Sequence, residues 1–267
     1  MSFEPGKAVV VTDPAQLATY GRAFRKTGKR VVLVPLGTGL HAGHIALIRA
    51  AKSLLGGVVM VTYRGNEVPE DFAREHVDVV FHGDLDTPVR VMPQLDHLED
   101  PHAIAAAVTR TVAAVNATHA TDVVVGEKDF EELVALQQVV SGLRMEVQLH
   151  SLPTVRAGNG VAMSLRNENV PEELHDAALA LSAALTAGAH AAEHGPDTVL
   201  STARGVLEAA GIAPDYLTLR SLSFGKAPAV GDARLLAAAT FGDVRLIDNV
   251  GVPVGVGFKN MGEQPEL

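Results

Sequence analysis

The stretch VVLVPLGTGLHAGHIALIRA, residues 31–50, decides the fold of this chain. It passes from an apolar segment through a glycine-rich bend into a segment in which Ile45, Ile48 and Ala51 recur at helical spacing. We therefore expect a buried strand that enters a helix at the bend, residues 37–44. The start of such a helix binds anions, because its N–H groups are unpaired and its dipole end is positive.

The rest of the first half alternates β-branched segments with helical patterns, which predicts an α/β fold built on a doubly wound parallel sheet. Strands are predicted at residues 31–35, 58–63, 77–81, 122–125 and 146–152, and helices at 44–55, 103–116 and 130–143. In such a sheet the ligand is expected beyond the carboxyl ends of the strands.

The pattern changes after about residue 155. A long helix is predicted to open at residues 169–173 and to close at His194-Gly195, and a second to run from Pro196 to Gly211. Three strands follow, the last two joined by a hairpin about Phe241-Gly242-Asp243. We therefore expect two domains: residues 1–155, which bind the ligand, and residues 156–267, a smaller α+β domain that closes over the site.

Composition excludes several classes of function. The net charge is −9 and aromatic residues are 4% of the chain, so neither a basic stripe nor stacking rings are available for nucleic acid. No apolar stretch is long enough to span a membrane, and residues 1–10 do not resemble a signal peptide. The absence of cysteine excludes disulfides and thiol catalysis and suits a reducing compartment, so a cytoplasmic protein is expected.

Two histidines, His41 and His44, lie three residues apart at the predicted helix start, with Gly43 between them. Neutral imidazoles there could donate hydrogen bonds to a phosphate, and the helix N-terminus should lower their pKa. The alternative is that both histidines only cap the turn. A metal pair is less favoured, because no Asp, Glu or Cys nearby completes a ligand set.

A dinucleotide site is a weaker alternative. Gly37, Gly39 and Gly43 follow a strand and open a helix, although their spacing differs from the usual fingerprint by one residue. Arg64, at the end of the next strand, would then suit the 2′-phosphate of NADP, and the protein would be an oxidoreductase.

Two further motifs carry polar side chains. Gly126-Glu127-Lys128-Asp129 forms a second strand-to-helix bend, where Lys128 can reach phosphate and Asp129 with Glu132 has the spacing of a capping box. Residues 153–167, PTVRAGNGVAMSLRN, offer a hydroxyl at Ser164 and a guanidinium at Arg166 in a loop that could close over a polyphosphate.

The chain resembles the pantothenate synthetase (pantoate–β-alanine ligase) family. Five stretches carry the resemblance, in this order along the chain: PLGTGLHAGH, VVVGEKDFEEL, LPTVRAGNGVAMSLRN, DYLTLR and RLIDNV. The resemblance is patchy over residues 31–75 and close over residues 123–250. It implies a Rossmann-like nucleotide-binding domain of the HxGH nucleotidyltransferase type. It also implies an acyl-adenylate reaction using ATP and Mg²⁺, pantoate and β-alanine as substrates, and a homodimer.

The resemblance also assigns roles to residues. It implies His44 as the catalytic histidine, with His41 and Lys128 beside it. ATP would be bound by a set of residues from three loops: Gly37, Thr38, Gly39, Leu40, Gly43, Gly126, Asp129, Val155, Met163, Ser164 and Arg166. Val155 and Met163 would line the adenine pocket, and Ser164 and Arg166 would hold the β- and γ-phosphates.

Departures from the family pattern lie mainly on the acid side. Asn66 matches a family residue, but a pantoate-binding glutamine is replaced by Pro69 and another by Glu132, whose negative charge should repel a substrate carboxylate. The acidic segment associated with magnesium is missing between Phe72 and His76. Three possibilities follow: a pantothenate synthetase with a rebuilt acid pocket, a related ligase for another acid or amine, or a non-catalytic paralogue that binds nucleotide.

Overall fold

The computed structural model describes residues 3–85 and 87–256, which form two compact units. The first unit ends at Val155 and the second begins at Arg156. The elements of the first unit are β1 (Val9–Val11), α1 (Pro14–Lys26), β2 (Arg30–Pro35), α2 (Ala42–Ser53), β3 (Gly57–Tyr63), α3 (Asp71–Arg74), β4 (Val79–His82), α4 (Pro101–Thr118), β5 (Asp122–Gly126), α5 (Phe130–Gly142) and β6 (Gln148–Leu152).

The six strands of the first unit form one parallel sheet in the order β1-β4-β3-β2-β5-β6. The predicted doubly wound α/β fold is confirmed. Strand β2 lies in the middle, and its residues 31–34 are fully buried because helices cover both faces of the sheet. The next strand along the chain, β3, pairs with one side of β2, and β5 pairs with the other. This change of direction opens a crevice at the carboxyl ends of β2 and β5, where ligands of such sheets bind.

Apolar side chains pack on both faces of the sheet. On one face Ile48 of α2 and Phe72 of α3 contact the strands, and on the other face Leu17 and Phe24 of α1 do so. All but Phe24 are completely buried. The helix that carries the first bend is thus fixed to the sheet by its apolar side, which leaves its first turn at the crevice.

The second unit contains α6 (His175–His190), α7 (Pro196–Ala209), β7 (Tyr216–Ser221), β8 (Gly231–Phe241) and β9 (Val244–Val254). The three strands form an antiparallel sheet, and Leu185, Leu207 and Leu235 lie in the core between the sheet and the two helices. The predicted hairpin between the last two strands is confirmed, and Gly242 supplies the positive φ of its turn.

Several predicted elements differ from the structure. Strand β1 and helices α1 and α3 were not predicted. The single long helix expected from residues 169–173 to His194 is instead α6 flanked by three short 3-10 helices, at Leu165–Asn169, Glu172–Leu174 and Ala192–His194. Pro171 has an extended backbone, which interrupts the helix at its expected start. In the part of the chain that the structure describes, no helix has the length and apolar character needed to cross a bilayer.

Candidate active site

The first bend is held by backbone hydrogen bonds that continue past the end of β2. The Leu36 N–H donates to the Thr62 carbonyl at 2.9 Å, and the Gly37 carbonyl accepts from the Arg64 N–H at 3.0 Å. Helix α2 then begins at Ala42, and Nδ1 of His41 accepts from the Gly43 N–H at 3.1 Å. His41 therefore does cap the turn, as the alternative interpretation of the two histidines supposed.

His44 does not share that capping role. Its ring stacks on the ring of His41, with a centroid distance of 3.8 Å and an interplanar angle of 24°. Its Nδ1 is buried and has no hydrogen-bond partner within the described residues. Burial, and next the neighbouring His41, lower the pKa of His44 to about 4. The predicted direction of the shift is confirmed, but its main cause is burial rather than the helix dipole.

The second bend, residues 126–129, joins β5 to α5. Nζ of Lys128 lies 3.3 Å from the Asp129 carboxylate. Asp129 directly precedes α5 but makes no capping hydrogen bond with its side chain, so the predicted capping box of Asp129 and Glu132 was wrong. The physical reason is that both carboxyl groups are directed elsewhere: Asp129 pairs with Lys128, and both Asp129 and Glu132 line a cavity.

This cavity, of about 290 Å³, lies at the carboxyl edge of the parallel sheet. Its lining is drawn from the ends of β2 and β3, the segments that follow β2, β3, β4 and β5, and helices α2, α4 and α5: Pro35, Leu36, Gly37, His44, Thr62, Arg64, Gly83, Asp84, Leu85, Ala107, Arg110, Thr111, Ala114, Asp129 and Glu132. Four of these residues were predicted from the sequence as site residues, namely Gly37, His44, Asp129 and Glu132. The two bends therefore meet, and the charges of Asp129 and Lys128 both act on the His44 ring.

The charge predicted for Glu132 needs correction. Its side chain is half-buried in the cavity wall, and burial together with the Asp129 carboxylate raises the pKa of Glu132 to about 7. At neutral pH the carboxyl group is therefore protonated in a large fraction of molecules rather than fully negative. A protonated carboxyl donates a hydrogen bond, as the amide of the family's glutamine does.

Asn66 and Pro69, which were predicted to contact the acid, are not among the residues that line the cavity. Asn66 is exposed and Pro69 is half-buried. The segment before them is closely packed: the Tyr63 ring covers Gly65 so closely that a side chain there would overlap it, and the His82 ring nitrogen lies 2.7 Å from the Gly65 carbonyl oxygen. The roles of Asn66 and Pro69 stay predictions.

The remaining predicted ATP residues surround the bends or lie further along the chain. Thr38, Gly39, Leu40 and Gly43 form the first bend itself, with the Thr38 carbonyl 3.3 Å from the Tyr63 hydroxyl, and Gly126 begins the second. Val155 is the last residue of the first unit, whereas Met163, Ser164 and Arg166 belong to the second unit. The Ser164 hydroxyl accepts from the Arg166 N–H at 3.2 Å, and the Arg166 side chain is exposed.

The loop that carries Met163 and Ser164 is anchored by Arg156, which sequence reasoning did not single out. Its guanidinium pairs with both oxygens of Asp248, at 2.7 and 3.0 Å, and also donates to the Gly160 and Asn249 carbonyls. Asp248 is buried, with 5% of its side chain exposed. Such a pair is geometrically specific, because the planar fork of arginine matches a carboxylate.

Replacing Arg156 by leucine is expected to lower the free energy of unfolding by about 3 kcal/mol, since it leaves the Asp248 carboxylate buried without its partner. Chemical denaturation of the full chain, followed by circular dichroism, measures the loss. The double variant Arg156→Leu/Asp248→Asn is the control, because it removes both charges and should be more stable than the single variant. A loss below about 1 kcal/mol would contradict this account of the pair.

The described residues contain no group of three or more His, Cys, Asp or Glu side chains arranged to hold a metal ion. The Asp129, Asp84 and Glu132 carboxyl groups line the cavity but form no ligand set of that kind. The side chains present therefore do not by themselves fit a bound Mg²⁺.

Comparison with known proteins gives consistent matches. A family model described as pantoate-beta-alanine ligase matches residues 9–75 and 70–251. The chain is 39% identical to a pantothenate synthetase from Corynebacterium jeikeium (strain K411), a match that covers 100% of this chain and 97% of the relative. It is 38% identical to a pantothenate synthetase from Mycobacterium avium (strain 104), over 93% of this chain and 91% of the relative.

Solved structures share the fold. A pantothenate synthetase from Thermus thermophilus superimposes with a TM-score of 0.77 at 24% identity, covering 91% of this chain and 98% of that chain. A pantoate-beta-alanine ligase from Francisella tularensis, complexed with beta-gamma ATP and beta-alanine, gives a TM-score of 0.70 at 23% identity, over 91% and 97% of the two chains.

Proposed function

The chain belongs to the pantoate-beta-alanine ligase family, and from that premise we propose that ATP and the acid substrate meet beside His44. The reaction is the ATP-dependent joining of pantoate and β-alanine. The main support for this location is that the bends 37–44 and 126–129, at the ends of the adjacent strands β2 and β5, reach one cavity. Family membership overturns the alternative of an NADP-dependent oxidoreductase.

The chemistry has two steps. A carboxylate oxygen of pantoate attacks the α-phosphorus of ATP, the bond from that phosphorus to the bridging oxygen breaks, and pyrophosphate leaves. The amine of β-alanine then attacks the carbonyl carbon of the adenylate and releases AMP, and the nitrogen loses a proton. Both steps are accelerated mainly by positioning of the reactants and by stabilisation of negative charge.

His44 and Lys128 supply that stabilisation. A neutral imidazole at the cavity wall is suited to hydrogen-bond a phosphate oxygen as the negative charge on that oxygen grows. Lys128 adds a positive charge from the second bend, and the positive end of the α2 dipole adds to it. The chain as a whole has a net charge of −9, so an anionic substrate must be attracted by positive groups at the site itself.

Some parts of the proposal come only from the family resemblance. They are the adenine contacts of Val155 and Met163, the phosphate contacts of Ser164 and Arg166, the homodimer, and the location in the cytoplasm. Mg²⁺ is proposed to arrive bound to the ATP phosphates, since it is commonly held by substrate phosphates with few protein ligands. Size-exclusion chromatography with light scattering tests the dimer.

Pantoate-dependent ATP–pyrophosphate exchange tests the proposed function. Labelled pyrophosphate should enter ATP when pantoate is present and β-alanine is absent, because the first step is reversible. Addition of β-alanine should then give AMP and pantothenate. Exchange with other acids but not with pantoate would indicate a related ligase, and no exchange with any acid despite ATP binding would indicate a non-catalytic paralogue. Either result would overturn the proposal.

The KM for pantoate is expected to rise about tenfold between pH 6.5 and 8.5, because Glu132 loses its proton above its pKa of about 7 and then repels the substrate. The charged groups around Glu132 are Asp129, Arg110 and Lys128, and the cavity also contains His44, Arg64 and Asp84. His44 stays neutral across this range, since its pKa is about 4.

The Glu132→Gln variant is the control for this pH dependence, because its amide carries no charge at any pH. Its KM for pantoate should be nearly constant over the same range. Initial rates at saturating ATP and β-alanine, measured at several pH values, provide the comparison. An equally steep rise in the variant would assign the pH dependence to another group.

A further inference from the structure

Helix α4 places one charged side chain in the cavity wall. Ala107, Arg110, Thr111 and Ala114 line the cavity from one side of the helix, in keeping with their spacing of three and four residues. Arg110 is the single Lys, Arg, Asp or Glu residue among the 18 residues of α4. A lone charge on the cavity side of an otherwise uncharged helix is not required for packing, and its partial burial costs free energy unless a partner compensates it.

The described residues do not supply that partner through a hydrogen bond or an ion pair. Across residues 3–85 and 87–256, the Arg110 guanidinium forms no hydrogen bond and no ion pair. The other cations at the site differ in this respect, since Arg64 lies 3.6 Å from the Asp84 carboxylate and Lys128 lies 3.3 Å from that of Asp129. Arg110 is thus a half-buried cation facing a cavity with its hydrogen-bonding capacity unused.

Arg110 affects the pKa of Glu132, but the two side chains do not form an ion pair. The guanidinium lowers the pKa of Glu132, while burial and Asp129 raise it more strongly, to about 7. With a pKa of about 7, the Glu132 carboxyl group is only partly ionised at neutral pH and therefore neutralises Arg110 only in part. The pair therefore offers an external ligand one cation and one hydrogen-bond donor, which together match a carboxylate next to a hydroxyl group.

The position of Arg110 favours the acid rather than ATP as its ligand. The two bends reach the cavity through Gly37, His44 and Asp129, whereas His41 and Lys128 do not line it. From the bends the cavity continues to α4, where Arg110 lies. Its volume of about 290 Å³ is near the lower end of the range for small-molecule sites, which suits a small acid.

We propose that Arg110 is a specificity-determining residue of the acid pocket, whose guanidinium binds the carboxylate of the hydroxy-acid substrate while Glu132 hydrogen-bonds a hydroxyl group beside it. This inference rests on the proposed function, because it places the acid in the cavity next to His44. It explains how a pocket with Glu132 in place of a neutral glutamine accepts an anion. The positive charge on α4 offsets the added carboxyl group.

The test compares Arg110→Gln and Arg110→Lys with the wild-type chain, and uses Arg25→Gln as the matched control. Arg25 is exposed on α1, so this control removes the same charge from a place outside the cavity. Steady-state AMP formation gives KM separately for pantoate, ATP and β-alanine. Circular dichroism confirms that each variant is folded, and titration calorimetry with ATP alone checks the nucleotide site.

In Arg110→Gln the KM for pantoate should rise about 10- to 100-fold, the loss expected when a charged hydrogen bond to the substrate is removed. The KM for ATP should stay within about twofold of the wild-type value. The KM for pantoate of Arg110→Lys should lie between those of Arg110→Gln and the wild-type chain, since lysine keeps the charge but not the planar, two-pronged geometry of the guanidinium. Loss of the cation should also shift the pH at which the KM for pantoate begins to rise to a higher value, an effect that a purely structural role would not produce.

The outcomes separate the inference from the function on which it rests. If the wild-type chain forms AMP with pantoate but Arg110→Gln leaves the KM for pantoate unchanged, or raises the KM for ATP to the same degree, the inference is overturned and the function stands. If the wild-type chain shows no pantoate-dependent reaction, the proposed function fails, and the inference fails with it.

Discussion

Replacement of His44 by alanine is expected to slow pantoate-dependent ATP–pyrophosphate exchange by about 10²–10³-fold, the typical effect of removing one preorganised donor from a transition state. The imidazole is neutral at pH 7 because burial lowers its pKa to about 4. Its contribution is therefore a hydrogen bond rather than a full charge. The His44 side chain is half-buried and lines the cavity, and its Nδ1 has no hydrogen-bond partner within the described residues.

The His44→Ala result is measured with the same labelled-pyrophosphate assay at saturating ATP and pantoate. His102→Ala is the matched control, because the His102 side chain is exposed on α4 and does not line the cavity. The KM for ATP should change much less than the rate, because the lost interaction strengthens mainly as charge develops. A loss of less than about tenfold would contradict the role given to His44.

Replacement of Lys128 by alanine is expected to reduce the same rate by about 10²-fold or more, because it removes the positive charge that the second bend brings to the phosphates. The change also leaves the Asp129 carboxylate, 3.3 Å from Nζ in the wild-type chain, without its partner. A negative charge would then face the incoming triphosphate. Both effects act in the same direction.

Two variants define the Lys128 result. Lys128→Arg keeps the charge and should recover a substantial part of the activity, whereas Lys29→Ala removes an exposed lysine next to β2 and should have no effect. Exchange rates and ATP binding are measured for all three. If Lys128→Ala and Lys29→Ala behaved alike, Lys128 would be an ordinary surface residue and the convergence of the two bends would lack functional meaning.

The sequence was sufficient to predict the centre of the fold. Residues 31–34 form a continuous apolar run because β2 is covered on both faces, and the glycines after them mark the bend that binds anions. The elements with weak sequence signals were not predicted. Strand β1 has only three residues at the edge of the sheet, and α3 has four, so neither gives a periodic pattern. Helix α1 was missed although Asp13 and Pro14 mark its start.

The site was predicted only where chemistry and turn signals coincide. His44, Lys128 and Asp129 adjoin strand ends, so the topology of a parallel sheet places them at one edge. Arg110 gave no such signal, because it lies inside a helix and reaches the cavity only through the packing of α4. The charge state of Glu132 was also beyond the sequence, since burial and the neighbouring Asp129 determine it.

The Tyr63 ring packs directly over Gly65, the residue that follows Arg64 of the cavity wall, and this packing limits which positions near the cavity can be substituted. Any side chain at Gly65 would displace the Tyr63 ring, so substitutions there should be lost from a library selected for activity. Helix α4 has no comparable overlap at Ala107 or Arg110, which line the cavity and are only half-buried. Directed evolution toward larger or differently charged acids should therefore accumulate its changes on α4.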